Sequence, residues 1–536
     1  YEISCSLVGS EMCIRDSLQA AGLNILVDCG MEQGNDVYEN QELPIAASDV
    51  DCILLTHAHI DHSGLIPLMY VNGFRGQVYS TSATAQLCEI MLRDSAHIQM
   101  FEAEWRNRKA ARSGGKLKEF VPLYDMDAAV NVCKQFVGCE YDRVYDIAEG
   151  IKIRFTDVGH LLGSASIEVW ATEKTENGDV TEKIVFSGDI GNINKPIIKD
   201  PKHVRDADYV VMESTYGNRS HGGTPNYVED LTDIFKRTFE RGGNVVIPSF
   251  AVGRTQELLY IIRKIKEDNL VGRDFDVYMD SPLAIEATNI FIKNVESCFD
   301  DDAVELVRKG INPLSFPGLK YATTGDESKQ INFDPNPKVI ISSSGMCEAG
   351  RIRHHLKHNL WRPECTIVFV GYQAVGTTGR IIVDGAEEIK LFGEPIQIKA
   401  EIVQLKGSSG HADKDGLLCW INAFDTKPKK VFVVHGEDSV CDEFTECLKE
   451  EYGYDAMAPY TGGSYDLIAD RVISEGVKER KTRRTTSTQR GKTVFDRLVA
   501  AGKRLMTVIT HNEGGTNKDL AKFTDQINAL CDKWDR

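Results

Sequence analysis

Four potential metal ligands fall within six residues of Thr56-His57-Ala58-His59-Ile60-Asp61-His62-Ser63-Gly64, directly after the apolar run Cys52-Ile53-Leu54-Leu55. A short apolar run reads as a buried strand, so the His-rich segment leaves a strand end at a defined place. In an extended turn side chains repeat every two residues, which sends His57 and His59 to the same side. Asp61 and His62 enter the next helix and project to an adjacent position. Imidazole is the commonest metal-binding side chain and carboxylate oxygen suits hard or borderline cations, so one segment can serve two neighbouring ions. Any fold for this chain must bring further donors to this strand end.

Later strand ends offer them. Ile151–Thr156 leads to Gly159-His160, Lys183–Phe186 to Ser187-Gly188-Asp189, and Val431–Val434 to His435-Gly436. Together they complete two sets, His57, His59, His160 with Asp189, and Asp61, His62, His435 with a shared Asp189. A carboxylate has two oxygens and is the side chain best able to bridge two cations. Asp28, ending the strand in Gly22–Gly30, is better placed to orient a ligand or water. The 14 cysteines include no CxxC pair and none joins these sets, so they read as reduced, packed thiols rather than a closed thiolate site.

The chain has 536 residues, 42% hydrophobic and 26% charged, enough for three to four domains and several cores. No apolar run approaches the ~20 residues of a membrane helix and no secretory leader is evident, so a cytoplasmic protein without membrane association is expected. Net charge is −18, which repels a polyanion overall, yet residues 471–536 hold 15 Lys/Arg against 8 Asp/Glu. Residues 1–17 show no sustained period and stand apart as an anomalous segment. After residue 205 the texture becomes strand–helix alternation, with buried-type strands at Tyr209–Met212, Asn244–Ile247, Asp276–Met279, Lys338–Ile341 and Cys365–Val370, which reads as a parallel α/β unit. A helix is expected over Ala83–Leu92, an exposed loop or fraying helix over Arg106–Lys118, a basic linker over Val477–Gln489, and short helices around Thr493–Ile509 and Asn517–Asp532.

Asp28, the His57–His62 run, His160 and Asp189 resemble, in order, the metal motifs of the metallo-β-lactamase fold. Glu213 in Met212-Glu213-Ser214-Thr215-Tyr216, His411 in Gly407-Ser408-Ser409-Gly410-His411-Ala412-Asp413, and His435 in Val434-His435-Gly436-Glu437 are similar to the three extra motifs of the β-CASP nucleases. The resemblance runs from about 18 to 470. It implies an α/β architecture, the metallo-β-lactamase αββα sandwich with an inserted β-CASP α/β domain. The expected parts are 18–205 and 396–470 for the sandwich, 206–395 for the insertion, and 471–536 as a basic extension.

The resemblance also implies a reaction. Two zinc ions per chain, with manganese tolerated by the same donors, would polarise a phosphodiester and activate water. Asp61 and Asp189 would act within that metal centre. His411 would give the leaving oxygen its proton, with Glu213 holding its tautomer and raising its pKa. RNA-acting members carry His at the position of His435, and the Ala58 and Ile60 spacers are similar to the endonuclease branch that includes the cleavage-and-polyadenylation nuclease subunit. Single-stranded RNA is therefore the expected partner and endonucleolytic hydrolysis the expected activity. A 5′-exonuclease of the RNase J type, a non-catalytic RNA-binding scaffold, and a homodimer stay open. Ser249 with Arg254, Ser343 and Ser344 with Arg351, and Arg380 lie in turns that open helices, where free N–H groups favour phosphate.

Overall fold

A computed structural model describes residues 2–5, 16–31, 45–112, 120–405 (except 177, 221 and 223–225), 409–477 and parts of 498–534. Two sheets face each other. The first has eight strands in the spatial order 471–477, 461–466, 2–5, 16–20, 23–27, 52–54, 77–81 and 136–139. The second has seven, in the order 456–457, 430–434, 209–213, 178–186, 165–175, 151–157 and 144–148.

Strand alternation explains the layering. Ile25 and Val27 point inward against Phe155, Ile167, Val211 and Phe432 of the second sheet. Their neighbour Leu26, with Ile53 and Leu55, points the other way into a core with Ile66, Met69 and Leu87. On the far side Val210, Met212, Val431 and Val433 bury against Leu417, Trp420, Phe444 and Leu448, from helices Lys414–Ile421 and Asp438–Glu450. Each central strand is buried on both faces, which is why it reads as a continuous apolar run. The result is a helix–sheet–sheet–helix sandwich.

Tyr209–Glu213 pairs in parallel with Lys430–Val434, Glu213 opposite Val434; the chain leaves the sandwich after 213 and is back in it by helix Lys414–Ile421. Between them lies a six-stranded sheet in the order 319–321, 276–280, 338–342, 245–248, 366–369 and 401–404, every pair parallel. This is the inserted α/β unit.

Four sequence expectations need correction. Tyr209–Glu213 belongs to the sandwich, so the break expected at 206 falls on the wrong side of that strand; Glu401–Gln404, just past 396, pairs with the inserted sheet. The break at 470 falls inside a hairpin, because Arg471–Val477 pairs antiparallel with Thr461–Asp466. Glu2–Cys5 is a strand held between Asp16–Ala20 and Thr461–Asp466, its four residues too few for a period to show. Helix Ser82–Arg112 takes in the first part of the stretch expected as a loop or fraying helix, with Arg106–Glu102 and Arg108–Glu104 i,i+4 pairs, and residues 113–119 lie outside the described residues. The linker from 478 and most of Thr493–Ile509 lie outside the described residues, whereas Asn517–Trp534 is helical.

Candidate metal centre

Four strands of the second sheet run the same way and end on one side of the sandwich. Ile151–Asp157 leads to His160, Gly178–Phe186 to Asp189, Tyr209–Glu213 ends on Glu213 itself, and Lys430–Val434 leads to His435. In the first sheet the parallel strands Leu23–Val27 and Cys52–Leu54 deliver Asp28 and the His57–His62 segment. Close backbone approaches hold these loops. A Cβ on Gly30 would sit 1.4 Å from the Asp61 carbonyl oxygen, and one on Gly191 would sit 2.0 Å from that of Gly159.

The first donor set is tight. His59 Nδ1 lies 3.1 Å from His57 Nε2 and 3.2 Å from His160 Nε2. Asp189 Oδ2 is 3.3 Å from His57 Nε2 and 3.4 Å from His160 Nε2. Tetrahedral zinc with bonds of ~2.0–2.1 Å has ligand–ligand edges of about 3.3–3.4 Å, so these atoms are spaced as a tetrahedron's corners. The second set uses Asp189 Oδ1, 3.2 Å from His62 Nε2 and 3.5 Å from His435 Nδ1, with Asp61 Oδ2 3.9 Å from His435 Nε2. Asp189 thus turns one oxygen to each set.

The outer ring nitrogens show whether a cation fits. His62 Nδ1 donates to Asp28 Oδ2 at 2.7 Å. His57 Nδ1 meets Thr56 Oγ1 at 3.1 Å, and that hydroxyl donates to Asp28 at 2.8 Å. His160 Nδ1 reaches the Gly410 carbonyl at 3.3 Å, and His435 Nδ1 reaches Thr215 Oγ1 at 3.1 Å. For His57, His62 and His160 these partners suit a proton on Nδ1, with Nε2 facing the cluster as in metal-bound histidines, whereas His59 turns Nδ1 to the cluster. His62 Nε2, His435 Nε2 and both Asp189 oxygens are buried with no hydrogen-bond partner. Such atoms are costly unless a cation satisfies them. The donors fit a metal ion.

Protonation follows the same logic. Burial, then the neighbouring imidazoles, lowers His57 and His160 and brings His59 down to about 3, leaving neutral rings. Burial also opposes charge on His62, but the Asp189 and Asp28 carboxylates outweigh it and hold a proton there, one that metal uptake displaces. Asp189 stays well below the usual carboxylate range because His435, His62 and His57 outweigh its burial.

His411 comes in on the segment just before helix Lys414–Ile421. It bridges to Gly191 in antiparallel fashion, and Ala412 N–H donates to the Ile190 carbonyl at 2.7 Å. Its Nδ1 lies 3.2 Å from Glu213 Oε2 and 3.8 Å from Asp189 Oδ2. Glu213 is fully buried and accepts the backbone N–H groups of Ile190 and Thr215. Burial opposes the imidazolium, yet the Glu213 and Asp189 carboxylates raise His411 to about 9.

The structure gathers Asp28, His57, His59, Asp61, His62, His160, Asp189, Glu213, His411 and His435 into this one centre. The expected phosphate-binding residues are committed elsewhere. Arg351 donates to Asp280 at 2.7 Å and to the Ala322 and Thr323 carbonyls. Arg254 pairs with Glu257 at 2.5 Å and Arg380 with Asp384 at 2.8 Å. Ser249 is buried and bonds within its own turn, Ser343 donates to Ser281, and Ser344 to the Ala349 carbonyl. Each of these groups has a protein partner within the inserted domain, local for Arg254, Arg380, Ser249 and Ser344 and distant for Arg351 and Ser343.

Lys195 escaped sequence reading. Its Nζ donates to the His160 carbonyl at 2.9 Å and pairs with Glu257 at 3.4 Å, tying the metal loop to the inserted domain. It lies six residues past Asp189 in a polar loop, with no spacing to mark it.

Comparisons with known proteins agree with this architecture. Residues 17–192 match the metallo-beta-lactamase superfamily domain, 255–382 the Beta-Casp domain, and 395–459 the Zn-dependent metallo-hydrolase RNA specificity domain. The chain is 34% identical over 422 residues to Ribonuclease TTHA0252 of Thermus thermophilus, covering 78% of this chain and 89% of that one. It is 32% identical over 450 residues to Transcription termination factor FttA of Methanosarcina mazei, covering 81% and 66%. It is 30% identical over 438 residues to an RNase J-like protein of Methanocaldococcus jannaschii, covering 81% and 91%. The chain belongs to the β-CASP ribonuclease family of the metallo-β-lactamase fold, and it is a metal-dependent hydrolase.

Proposed function

We propose that the protein is an endoribonuclease that hydrolyses phosphodiester bonds of single-stranded RNA with two zinc ions. The observation that carries this reading is the pair of donor sets sharing Asp189, with the Glu213–His411 pair on its open flank. His57, His59, His160 and Asp189 would hold one ion; Asp61, His62, His435 and Asp189 the other. When bound, the ions supply Lewis-acid polarisation of the phosphate and a water acidic enough to attack near neutral pH.

The protein's own groups do the rest. Asp28 locks His62 directly and His57 through Thr56. Glu213 fixes the His411 tautomer by accepting from Nδ1, which leaves Nε2 to deliver a proton to the leaving oxygen. A histidine held protonated suits an acid better than a base. The RNA assignment is supported by the RNA specificity domain, whose residues 395–459 contribute both His411 and His435.

The test is a circular single-stranded RNA beside a linear DNA of the same sequence, incubated with zinc-loaded protein with and without chelator. Chelator-sensitive linearisation of the circle alone supports the proposal. Intact circles with degraded linear RNA would replace it with a 5′-exonuclease. Survival of both RNAs would leave a binding protein.

A further inference from the structure

In an open parallel sheet the crevice beyond the carboxyl ends of the strands is where ligands bind, since side chains and turns converge there. In the inserted domain, strand Val245–Pro248 lies between Lys338–Ser342 and Thr366–Phe369, all parallel. Beyond these three ends come Ser249-Phe250, Ser343-Ser344-Gly345 and Gly371-Tyr372-Gln373. Phe250 is 48% exposed, Tyr372 52% and Val375 70%. Large apolar groups gathered in a crevice, and not scattered singly, mark a binding surface.

The turns that carry the two rings are joined through Gly345 and Gln373. The Phe250 ring lies so close to Gly345 that a Cβ there would come within 3.1 Å of it. Gln373 Nε2 donates to the Gly345 carbonyl at 3.2 Å and to the Tyr372 carbonyl at 3.1 Å, joining the two turns. The Phe250 turn also packs onto the loop that carries a metal ligand. Ala251 and Val252 share a core with Leu161, a Cβ on Gly253 would be 3.1 Å from Leu161 Cδ1, and Leu161 follows the ligand His160.

Charge decides what this crevice can grip. Arginines 254, 351 and 380 each meet a carboxylate, Glu257 being shared by Arg254 and Lys195, and the chain as a whole carries −18. Paired cations add little attraction for phosphate, so a strand crossing here gains most from its base faces. Aromatic rings bind single-stranded bases by stacking, whatever the sequence.

We infer that Phe250 and Tyr372 form a stacking platform for unpaired bases of the RNA strand next to the bond cut at the metal centre. This rests on the ribonuclease reading above and adds the mode by which the strand is held.

The experiment uses zinc-loaded full-length protein and a short single-stranded 2′-O-methyl RNA, which resists cleavage, beside the same strand with abasic sites. Phe250→Ala and Tyr372→Ala should each weaken binding of the normal strand by roughly 5- to 150-fold, the span of one lost stacking contact. Phe250→Tyr and Tyr372→Phe should stay near wild type. On the abasic strand the alanine variants and wild type should coincide, and the salt slope should not change. Equal losses on both strands, or no loss from either alanine variant while circular RNA is still cut, would overturn the platform and leave the ribonuclease standing. Wild-type protein that neither binds the strand nor cuts the circle would overturn both.

Discussion

Asp157 offers a test of the fold that does not pass through the metals. It ends the strand that leads to His160, its Oδ1 accepts the Gly159 N–H at 3.0 Å, and it is almost fully buried. Burial pushes the carboxyl up from 3.8 to about 7, against the Gly159 hydrogen bond and the Lys199 and Lys202 charges. About three pKa units at 1.36 kcal/mol each correspond to about 4 kcal/mol. The sign follows from linkage. The folded state holds the proton more tightly than the unfolded chain, so this stability is present in full below the unfolded value near 3.8. It is lost as pH rises towards and through 7. Asp157→Asn keeps the acceptor for Gly159 and removes the charge. At pH 8 it should stabilise the fold by up to about 4 kcal/mol, and at pH 4 by nothing. For a cooperative unit of 150–250 residues that is a rise of at most about 8–16 °C in Tm. The assay is thermal unfolding of wild type and variant at several pH values between 4 and 8, each at constant ionic strength. A Tm difference that does not change with pH would refute the argument, because it would mean that Asp157 is charged, or uncharged, throughout.

At the metal centre, Asp189→Ala should lower both bound zinc and cleavage by orders of magnitude, whereas His411→Ala should keep the metals and lose about 10²–10⁴-fold in rate. Elemental analysis separates the two, and a zinc-free His411 variant would make that residue a ligand. Lys195→Ala removes an outer support of His160 and should weaken zinc binding about 10- to 100-fold in chelator competition; unchanged affinity would reduce Lys195 to a surface pair. Arg351→Ala strips one partner from the fully buried Asp280 and should cost about 3 kcal/mol, the low end for a broken buried pair because His355 and Ser328 still bond that carboxylate. Its RNA affinity and salt slope should match wild type, and a loss of affinity at unchanged Tm would restore it as a phosphate ligand.

The metal centre was legible in the sequence because its geometry is local. A two-residue repeat sets His57 beside His59, and the remaining donors each stand just past an apolar run, where a strand must end. Parallel strands ending on one side then bring them together. The rest depends on partners far away in the chain. A strand buried on both faces looks the same in either sheet, so Tyr209–Glu213 and Glu401–Gln404 gave no sign of which sheet each joins. Glu2–Cys5 owes its conformation to Thr461–Asp466 at the other end of the sandwich. The partners of the arginines were no clearer: a turn that opens a helix does not show which carboxylate its arginine meets, whether three or four residues on, as for Arg254 and Arg380, or far off. For Arg351 that carboxylate is Asp280, 71 residues earlier. The consequence is functional. With Arg254, Arg351 and Arg380 each paired to a carboxylate, these three offer little free positive charge to a phosphate. The exposed rings of Phe250 and Tyr372 at the strand ends are the contacts left to hold a single strand there.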